Sequence, residues 1–313
     1  MDPRAQPRPI AARKRRPLGA SRPVALVRRP KPAFRSAEPS RVAGVPAALC
    51  AWVALLVSSP ALATDRTFTY TYESAVTPAG HAELEPWVTY RVGRETYFHR
   101  YDLRVEFEGG LSSRLQSSLY LNFSSTAQDL DDELTGQRYR SQTLSFQGVS
   151  NEWKYQLTDP VADAVGTALY AEGTFAPQKV ELEGKIIADK RVGSFVLAFN
   201  VVGEYEWEFA SADTTYTYFL LEADAAAAVF LTNQITLGAE ISTPFRFYGT
   251  APDGADDNGV LYAGPVLAAR FEQWWMATTV LAQCFAIQNS TFGVLNLAEH
   301  ERFQIRTIWG FHL

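Results

Sequence analysis

The chain has 313 residues, of which 47% are apolar and 13% aromatic, enough for one large domain or two small ones. A mean hydropathy of −0.13 argues against a bundle of membrane helices, which needs several apolar runs of about 20 residues; the single apolar run, 45–57, is shorter. Residues 1–63 hold 12 of the 29 basic residues and 2 of the 34 acidic ones, which leaves a net charge of −15 on the remainder. Such an acidic remainder argues against nucleic acid as a partner.

The first predicted element is an export signal. A basic stretch without periodicity precedes an apolar run at 42–57, and a small-residue site with Ala61 and Ala63 follows. This order predicts a signal peptide over residues 1–63, cleaved after Ala63, and a mature domain over 64–313. The basic stretch is longer than a signal peptide needs, which a true translation start further downstream would explain.

The remainder is predicted to form β-strands almost throughout, because apolar and polar residues alternate with period two. In the last segment, apolar Phe303, Ile305 and Phe311 alternate with polar Gln304 and Arg306. Several strands reach ten residues or more, the length that crosses a bilayer at a tilt. The sequence therefore predicts an all-β fold, a transmembrane antiparallel up-and-down β-barrel of about 12 strands. The predicted strands are 80–91, 101–109, 114–125, 141–157, 165–176, 179–190, 194–209, 217–230, 234–248, 259–270, 274–286 and 301–313.

The connections between the predicted strands alternate in length. Short links such as 158–164 follow the even-numbered strands, whereas longer polar links such as 126–140 and 250–259 follow most odd-numbered strands. The link around Pro177 is short and breaks the rule. The alternation is typical of short periplasmic turns and longer outer loops, with both termini of the barrel in the periplasm.

The carboxy-terminal strand, with Trp309, Phe311 and Leu313, resembles the closing strand of bacterial outer-membrane proteins. That strand usually ends on an aromatic residue, which here lies two places from the end. Further segments are similar to an uncharacterised group of porin-like Gram-negative outer-membrane barrels: 80–91, 101–123 and 151–175. The resemblance covers most of 67–313 and implies a barrel in the cell outer membrane with a pore-like or structural role. It supplies no catalytic residues.

Aromatic residues gather toward the predicted strand ends. Rings with one apolar and one polar side suit the headgroup level of a membrane. Aromatic residues are also common in soluble β proteins, so ordinary packing is the alternative. The residues predicted to lie at the membrane interface are Trp87, Trp153, Trp207, Trp274, Trp309 and Phe311.

The predicted inward face of the barrel is rich in charge. Its predicted acidic residues are Glu106, Glu108, Glu181, Glu183, Glu204, Glu206, Glu208, Glu222, Asp224 and Glu240, and its basic residues are Arg104, Arg114, Lys154, Lys185, Arg302 and Arg306. An aqueous lumen can host such groups, whereas a dry core could not. One interpretation is a pore that prefers cations. The other is a set of paired charges that fills a narrow barrel.

Catalytic and metal sites have weaker support in the sequence. His99 and His300 fall near predicted outer loops, but no G-x-S-x-G motif accompanies them. The acidic loops around Asp131 and Asp256 lack the spacing of a calcium-binding hand. Cys284 would be the only cysteine after export, so no intramolecular disulfide is expected. We therefore predict no catalytic residue, metal ligand or cofactor.

The leading functional prediction is passive passage of small solutes, with cations favoured, across the outer membrane. One alternative is an outer-membrane enzyme acting on lipid or lipopolysaccharide, which a cluster of Ser, His and Asp near the outer leaflet would favour. Another is a structural or surface-interaction barrel without transport, which a lumen closed by Arg–Glu pairs would favour. The predicted partners are outer-membrane lipids, lipopolysaccharide and, through the C-terminal strand, the barrel-assembly machinery.

Overall fold

The computed structural model describes residues 65–132, 136–211, 213–250, 256–288 and 291–313. The predicted signal peptide and its cleavage site, Ala61 and Ala63, lie outside the described residues. No helix in the described part of the chain is long and apolar enough to cross a membrane. The strands in this part are β1 (Ala82–Val92), β2 (Phe98–Gly110), β3 (Leu115–Asp131), β4 (Arg138–Thr158), β5 (Gly166–Ala176), β6 (Lys179–Val192), β7 (Phe195–Ser211), β8 (Thr214–Phe230), β9 (Ile235–Ser242), β10 (Phe245–Thr250), β11 (Asn258–Arg270), β12 (Trp274–Gln288), β13 (Thr291–Gly293) and β14 (Phe303–His312).

Successive strands pair antiparallel, and the sheet closes on itself because β14 pairs with both β1 and β12. Strands β9 and β10 both pair with β8 and β11 and form one barrel strand, interrupted at Thr243 and Pro244. Proline has no N–H to donate to the ladder, which explains the interruption. Strand β13 is a three-residue addition that pairs with β12. The described residues thus form a closed barrel of twelve strands, which confirms the predicted fold class and strand number.

The two ends of the barrel differ in their connections. The turn end carries β1's first residue, β14's last residue and short links such as 111–114 and 193–194. The loop end carries links such as 93–97 and 294–302. Two connections at the loop end are exceptions, because only two residues separate β5 from β6, around Pro177, and only two separate β7 from β8.

The hairpin of β3 and β4 is longer than predicted. The segment 126–140 is predicted as a loop, but the ladder continues to the pair Asp131 and Arg138. Arg138 donates to Asp131 at 2.9 Å and Arg140 donates to Asp129 at 2.9 Å across the two strands. Opposite charges on facing strands stabilise the extension, so most of this polar segment is strand.

Side chains alternate between an apolar outer surface and a polar interior. On β7, Leu197, Phe199 and Val201 are exposed, whereas the intervening Asn200 and Val202 are buried. The alanine-rich part of β8, 223–228, follows the same alternation as a strand. An apolar exterior around polar buried residues is the pattern of a barrel whose solvent is lipid.

Candidate functional site in the barrel lumen

The lumen contains the segment 65–81, which precedes β1. Phe68 and Thr69 are fully buried, and Tyr70 and Tyr72 are nearly so. Asp65 contacts His312 at the turn end, whereas the Tyr70 hydroxyl donates to Gln304 further along the lumen. Toward its other end the segment returns to the turn end, where the Thr77 amide donates to Gln116. The segment therefore enters and leaves at the turn end and fills part of the interior; we call it the lumen segment.

Side chains from the barrel wall satisfy the backbone of the lumen segment. Asn200 accepts a hydrogen bond from the Tyr72 amide at 2.6 Å and donates to the Tyr72 carbonyl at 3.0 Å. Asp189 accepts from the Ser74 amide at 3.0 Å. Buried amides need partners, and an irregular segment inside a barrel has no neighbouring strand to provide them. The inward polar residues of β6, β7 and β9 thus hold the segment as well as line the wall.

Two cavities flank the lumen segment. The loop-end cavity has a volume of about 420 Å³, and Tyr70 and Tyr72 of the segment line it together with charged wall residues. The turn-end cavity has a volume of about 340 Å³, and Asp65, Glu108 and Lys154 are among its lining residues. Since Tyr72 contributes to both cavities, the segment separates them.

A dense carboxylate cluster lies on β6 and β7. Oxygens of Glu181, Glu204 and Glu206 lie within 4.8 Å of one another. The Lys179 ammonium donates to Glu181 at 2.6 Å and to Glu206 at 2.9 Å, which neutralises part of this charge. The cluster has the donor atoms of a cation-binding site, but Lys179 already pairs with two of its three carboxylates.

Arginines lie across the lumen from this cluster. Arg91 and Arg100 each donate to Asp102 at 2.6 Å. Arg306 donates to Thr89 and to the Thr69 carbonyl, and its guanidinium lies 3.8 Å from the centre of the Tyr70 ring. All three arginines line the loop-end cavity. The lumen therefore carries both signs of charge on separate parts of its wall.

All ten predicted acidic lumen residues lie on inward positions of the strands. Glu106, Glu108, Asp224 and Glu240 are buried, with at most 8% exposure. The loop-end cavity includes further members of the set: Glu181, Glu183, Glu204 and Glu222. Glu206 and Glu208 are half-buried and contact Lys179 and the Tyr218 hydroxyl respectively.

The predicted basic lumen residues divide into two groups. Lys154 lines the turn-end cavity, and the loop-end cavity includes Arg104, Lys185 and Arg306. Arg114 is exposed in the turn before β3, and Arg302 is exposed just before β14. These last two were predicted to line the lumen, but each stands at a strand boundary, where the alternation of the strand no longer fixes the direction of the side chain.

Five of the six predicted interface aromatics lie on outward positions. Among them, Trp153, Trp274 and Phe311 are 37–47% exposed; Trp207 and Trp309 lie on the same outward alternation and are half-buried. The sixth is wrong: Trp87 is 6% exposed inside the barrel, and its indole N–H donates to Glu85. The cause is register, because Trp87 shares its face of β1 with Glu83 and Glu85, the residues that point into the lumen.

The predicted strands do not include residues 65–79 of the lumen segment. Its sequence alternates strictly, with Thr67, Thr69 and Thr71 separated by aromatic residues. This alternation is the signal that could have marked it as an extended, ordered segment. The alternation does not predict that both faces of the segment are buried, because the surrounding barrel wall buries them.

Three of the four histidines have partners other than serine. His99 contacts the Tyr90 hydroxyl, the His300 ring lies 2.7 Å from the Asn258 amide oxygen, and His312 lies 3.0 Å from Asp65. None of these contacts resembles a nucleophile held by a histidine base. Cys284 is exposed on β12, as a small outward residue.

Comparisons with known proteins agree with this architecture. Residues 60–198 match a family of unknown function, DUF6662. A solved outer-membrane channel, COG4313 from Pseudomonas putida F1, superposes with a TM-score of 0.51 at 10% identity over 79% of this chain and 100% of its own. The fold is that of an outer-membrane β-barrel. The NanC porin superposes with a TM-score of 0.47 at 12% identity over 74% of this chain and 100% of its own. No curated protein matches the sequence.

Proposed function

We propose that this outer-membrane-type barrel is a narrow channel that passes small solutes across the outer membrane and favours cations. The observation that carries the proposal is the loop-end cavity of about 420 Å³ inside the closed barrel. Its lining holds seven acidic and seven basic residues, so the cation preference rests on the local acidic wall of Glu181, Glu183, Glu204, Glu222 and Asp224. Fixed carboxylates in a lumen with apolar walls attract cations more strongly than the same charges do in open water. Export by the signal peptide, contact with lipopolysaccharide and insertion by the barrel-assembly machinery are part of the same proposal.

Passage also requires a route past the lumen segment. Side-chain hydrogen bonds hold residues 65–77 of the segment, whereas Ala79 to His81 pair with Gly110 through the backbone. Water can replace the side-chain partners without opening the barrel sheet. We propose that conduction occurs when the segment shifts within the lumen. The barrel wall stays closed throughout, because its twelve-strand ladder does not include the segment.

A structural barrel without transport is the second candidate. The buried lumen segment favours it, and so do ion pairs inside the lumen, such as Arg104 with Glu172 at 3.5 Å and Lys185 with Glu183 at 2.8 Å. The histidine contacts described above give no support to an enzyme that acts on lipid.

Planar-bilayer recordings of the mature protein separate the two candidates. The expected result is current with a reversal potential that favours K⁺ over Cl⁻ in a KCl gradient. A variant lacking residues 65–77 is expected to conduct more, because the segment no longer occupies the lumen. Anion selectivity would contradict the cation preference, and no current from either protein would leave the structural barrel as the function.

A further inference from the structure

The loop-end cavity has opposite charges on opposite sides of the ring. In the order of the twelve barrel strands, β7 is six positions from β1 in either direction, so the two strands face each other across the lumen. Five carboxylate residues of the cavity lie on β6, β7 and β8, and four of its arginines, Arg91, Arg100, Arg104 and Arg306, lie on β14, β1 and β2. Asp102 on β2, Glu172 on β5 and Arg246 on β10 lie outside this division. A cavity that only binds or passes small cations would not need the arginines on β14, β1 and β2.

The acidic wall contains carboxylates that its lysines do not neutralise. Lys179 pairs with Glu181 and Glu206, and Lys185 pairs with Glu183. Asp224, which lines the cavity, has no ion-pair partner within 4 Å in the described part of the chain. It is 3% exposed, and its Oδ1 atom lacks a hydrogen-bond partner. A buried acceptor without a partner is costly, and a ligand that donates to it removes the cost.

The basic wall likewise has more guanidinium groups than carboxylates that pair with them. Arg91, Arg94 and Arg100 share two carboxylates, because Arg91 and Arg100 both bind Asp102 while Arg91 and Arg94 both contact Glu301. Arg306 has no carboxylate within 4 Å among the described residues, and Thr89, the Thr69 carbonyl and the Tyr70 ring hold it in place. A guanidinium fixed by neutral groups is ready to bind a carboxylate, because little rotamer entropy remains to be lost.

We propose that the loop-end cavity binds a small zwitterion, with its ammonium group toward Asp224 and its carboxylate toward Arg306. The proposal rests on the proposed function, of which it names the solute class. A simple cation would leave Arg306 without a carboxylate, and a simple anion would leave Asp224 without a donor. The volume of about 420 Å³ is in the range of small-molecule sites.

Calorimetric titration of the mature protein in detergent tests this, with the ω-amino acids glycine, β-alanine, 4-aminobutyrate and 6-aminohexanoate as probes. The series varies the distance between the two charges. Butylamine and butyrate serve as probes that carry one charge only. We expect at least one ω-amino acid to bind about ten-fold tighter than either single-charge probe, since both charge-assisted contacts form only with a zwitterion.

Asp224→Asn and Arg306→Gln are each expected to weaken that binding about ten-fold. The matched controls Asp213→Asn and Arg302→Gln change exposed residues of the same types at the loop end and should leave it unchanged. Retained heat-modifiable migration on gels verifies that each variant barrel is folded. Equal binding of butylamine, binding unaffected by both variants, or no binding at all would overturn the proposal. If the wild type still conducts cations in that case, the channel function stands and the zwitterion site alone fails.

Discussion

Glu240, on β9, accepts a hydrogen bond from the backbone amide of Tyr70 at 2.8 Å, across 170 residues of chain. The same fully buried carboxylate accepts from the amides of Thr69 and Thr71 and from the Thr279 hydroxyl. One wall residue therefore satisfies three consecutive amides of the lumen segment. Glu240 therefore anchors residues 69–71, while Asn200 and Asp189 hold the next part of the segment.

Glu240→Ala is expected to release the lumen segment, because it leaves three buried amides without an acceptor. Trypsin added to the reconstituted barrel should then cleave after Arg66 about ten-fold faster than in the wild type. The loss of one charge-assisted contact raises the population of the released segment by about that factor. Mass spectrometry of the new amino terminus at Thr67 measures the rate. Glu272→Ala, at an exposed turn-end position, is the matched control. Equal cleavage rates for the Glu240 and Glu272 variants would show that Glu240 does not anchor the segment.

Replacing Glu204, Glu206 and Glu208 together by Gln should lower the ratio of cation to anion permeability several-fold. The three side chains lie on alternate inward positions of β7, so the change removes a ladder of charge from one wall without altering side-chain size. Reversal potentials in a KCl gradient give the ratio. The comparable triple replacement of exposed Glu95, Glu272 and Glu299 should have a smaller effect. An unchanged ratio in the β7 variant would assign selectivity to other residues.

Trp87 and Trp153 should respond differently to lipid. Trp153 is 47% exposed on the outer surface, whereas Trp87 lies inside the barrel at 6% exposure. Brominated lipids quench indoles in contact with the bilayer, so Trp153→Phe should reduce the quenchable fluorescence. Trp87→Phe should lower total fluorescence but leave the quenchable part intact. A loss of quenchable signal in the Trp87 variant would place that residue at the lipid surface instead.

The mature chain is expected to begin at Thr64. Signal cleavage after Ala63 would place the new amino terminus next to Asp65, which lies 3.0 Å from His312 at the turn end. Amino-terminal sequencing of protein from outer-membrane fractions tests the cleavage site. A first residue well upstream of Thr64 would contradict it.

Acid should loosen the loop that carries His300. Burial lowers the pKa of His300 to about 4 from 6.5, so the closed loop holds the ring neutral. An opened loop binds a proton below pH 6.5, and the closed loop does so only below about pH 4. Acidification from pH 7 to pH 5 therefore favours opening. Hydrogen exchange of residues 294–302, corrected for intrinsic rates, should increase, and His300→Gln should abolish the pH-dependent part. Equal protection of residues 294–302 from hydrogen exchange at pH 7 and pH 5 would contradict the lowered pKa of His300.

The sequence alone determined the barrel. Period-two alternation is a local property, and residues such as Leu197 and Phe199 already separate lipid-facing from lumen-facing positions before any strand is paired. Strand number and the inward positions of the carboxylates follow from that pattern, whereas the two-residue connections after β5 and β7 depart from the predicted alternation of turn and loop lengths. What alternation could not fix is the direction of residues at strand boundaries, as Arg114 and Arg302 show.

Only the tertiary structure decided what the lumen contains. The lumen segment is buried because a ring of strands surrounds it, and Glu240 reaches its amides from a position far along the chain. Trp87 looks like an interface residue in sequence, yet the register of β1 turns it inward beside Glu85. The presence of Asp224 and Arg306 in the lining of one cavity likewise arises from closure, since the ring brings β8 and β14, four strands apart, to the same lumen. Such relationships join residues distant in sequence, and no local periodicity records them.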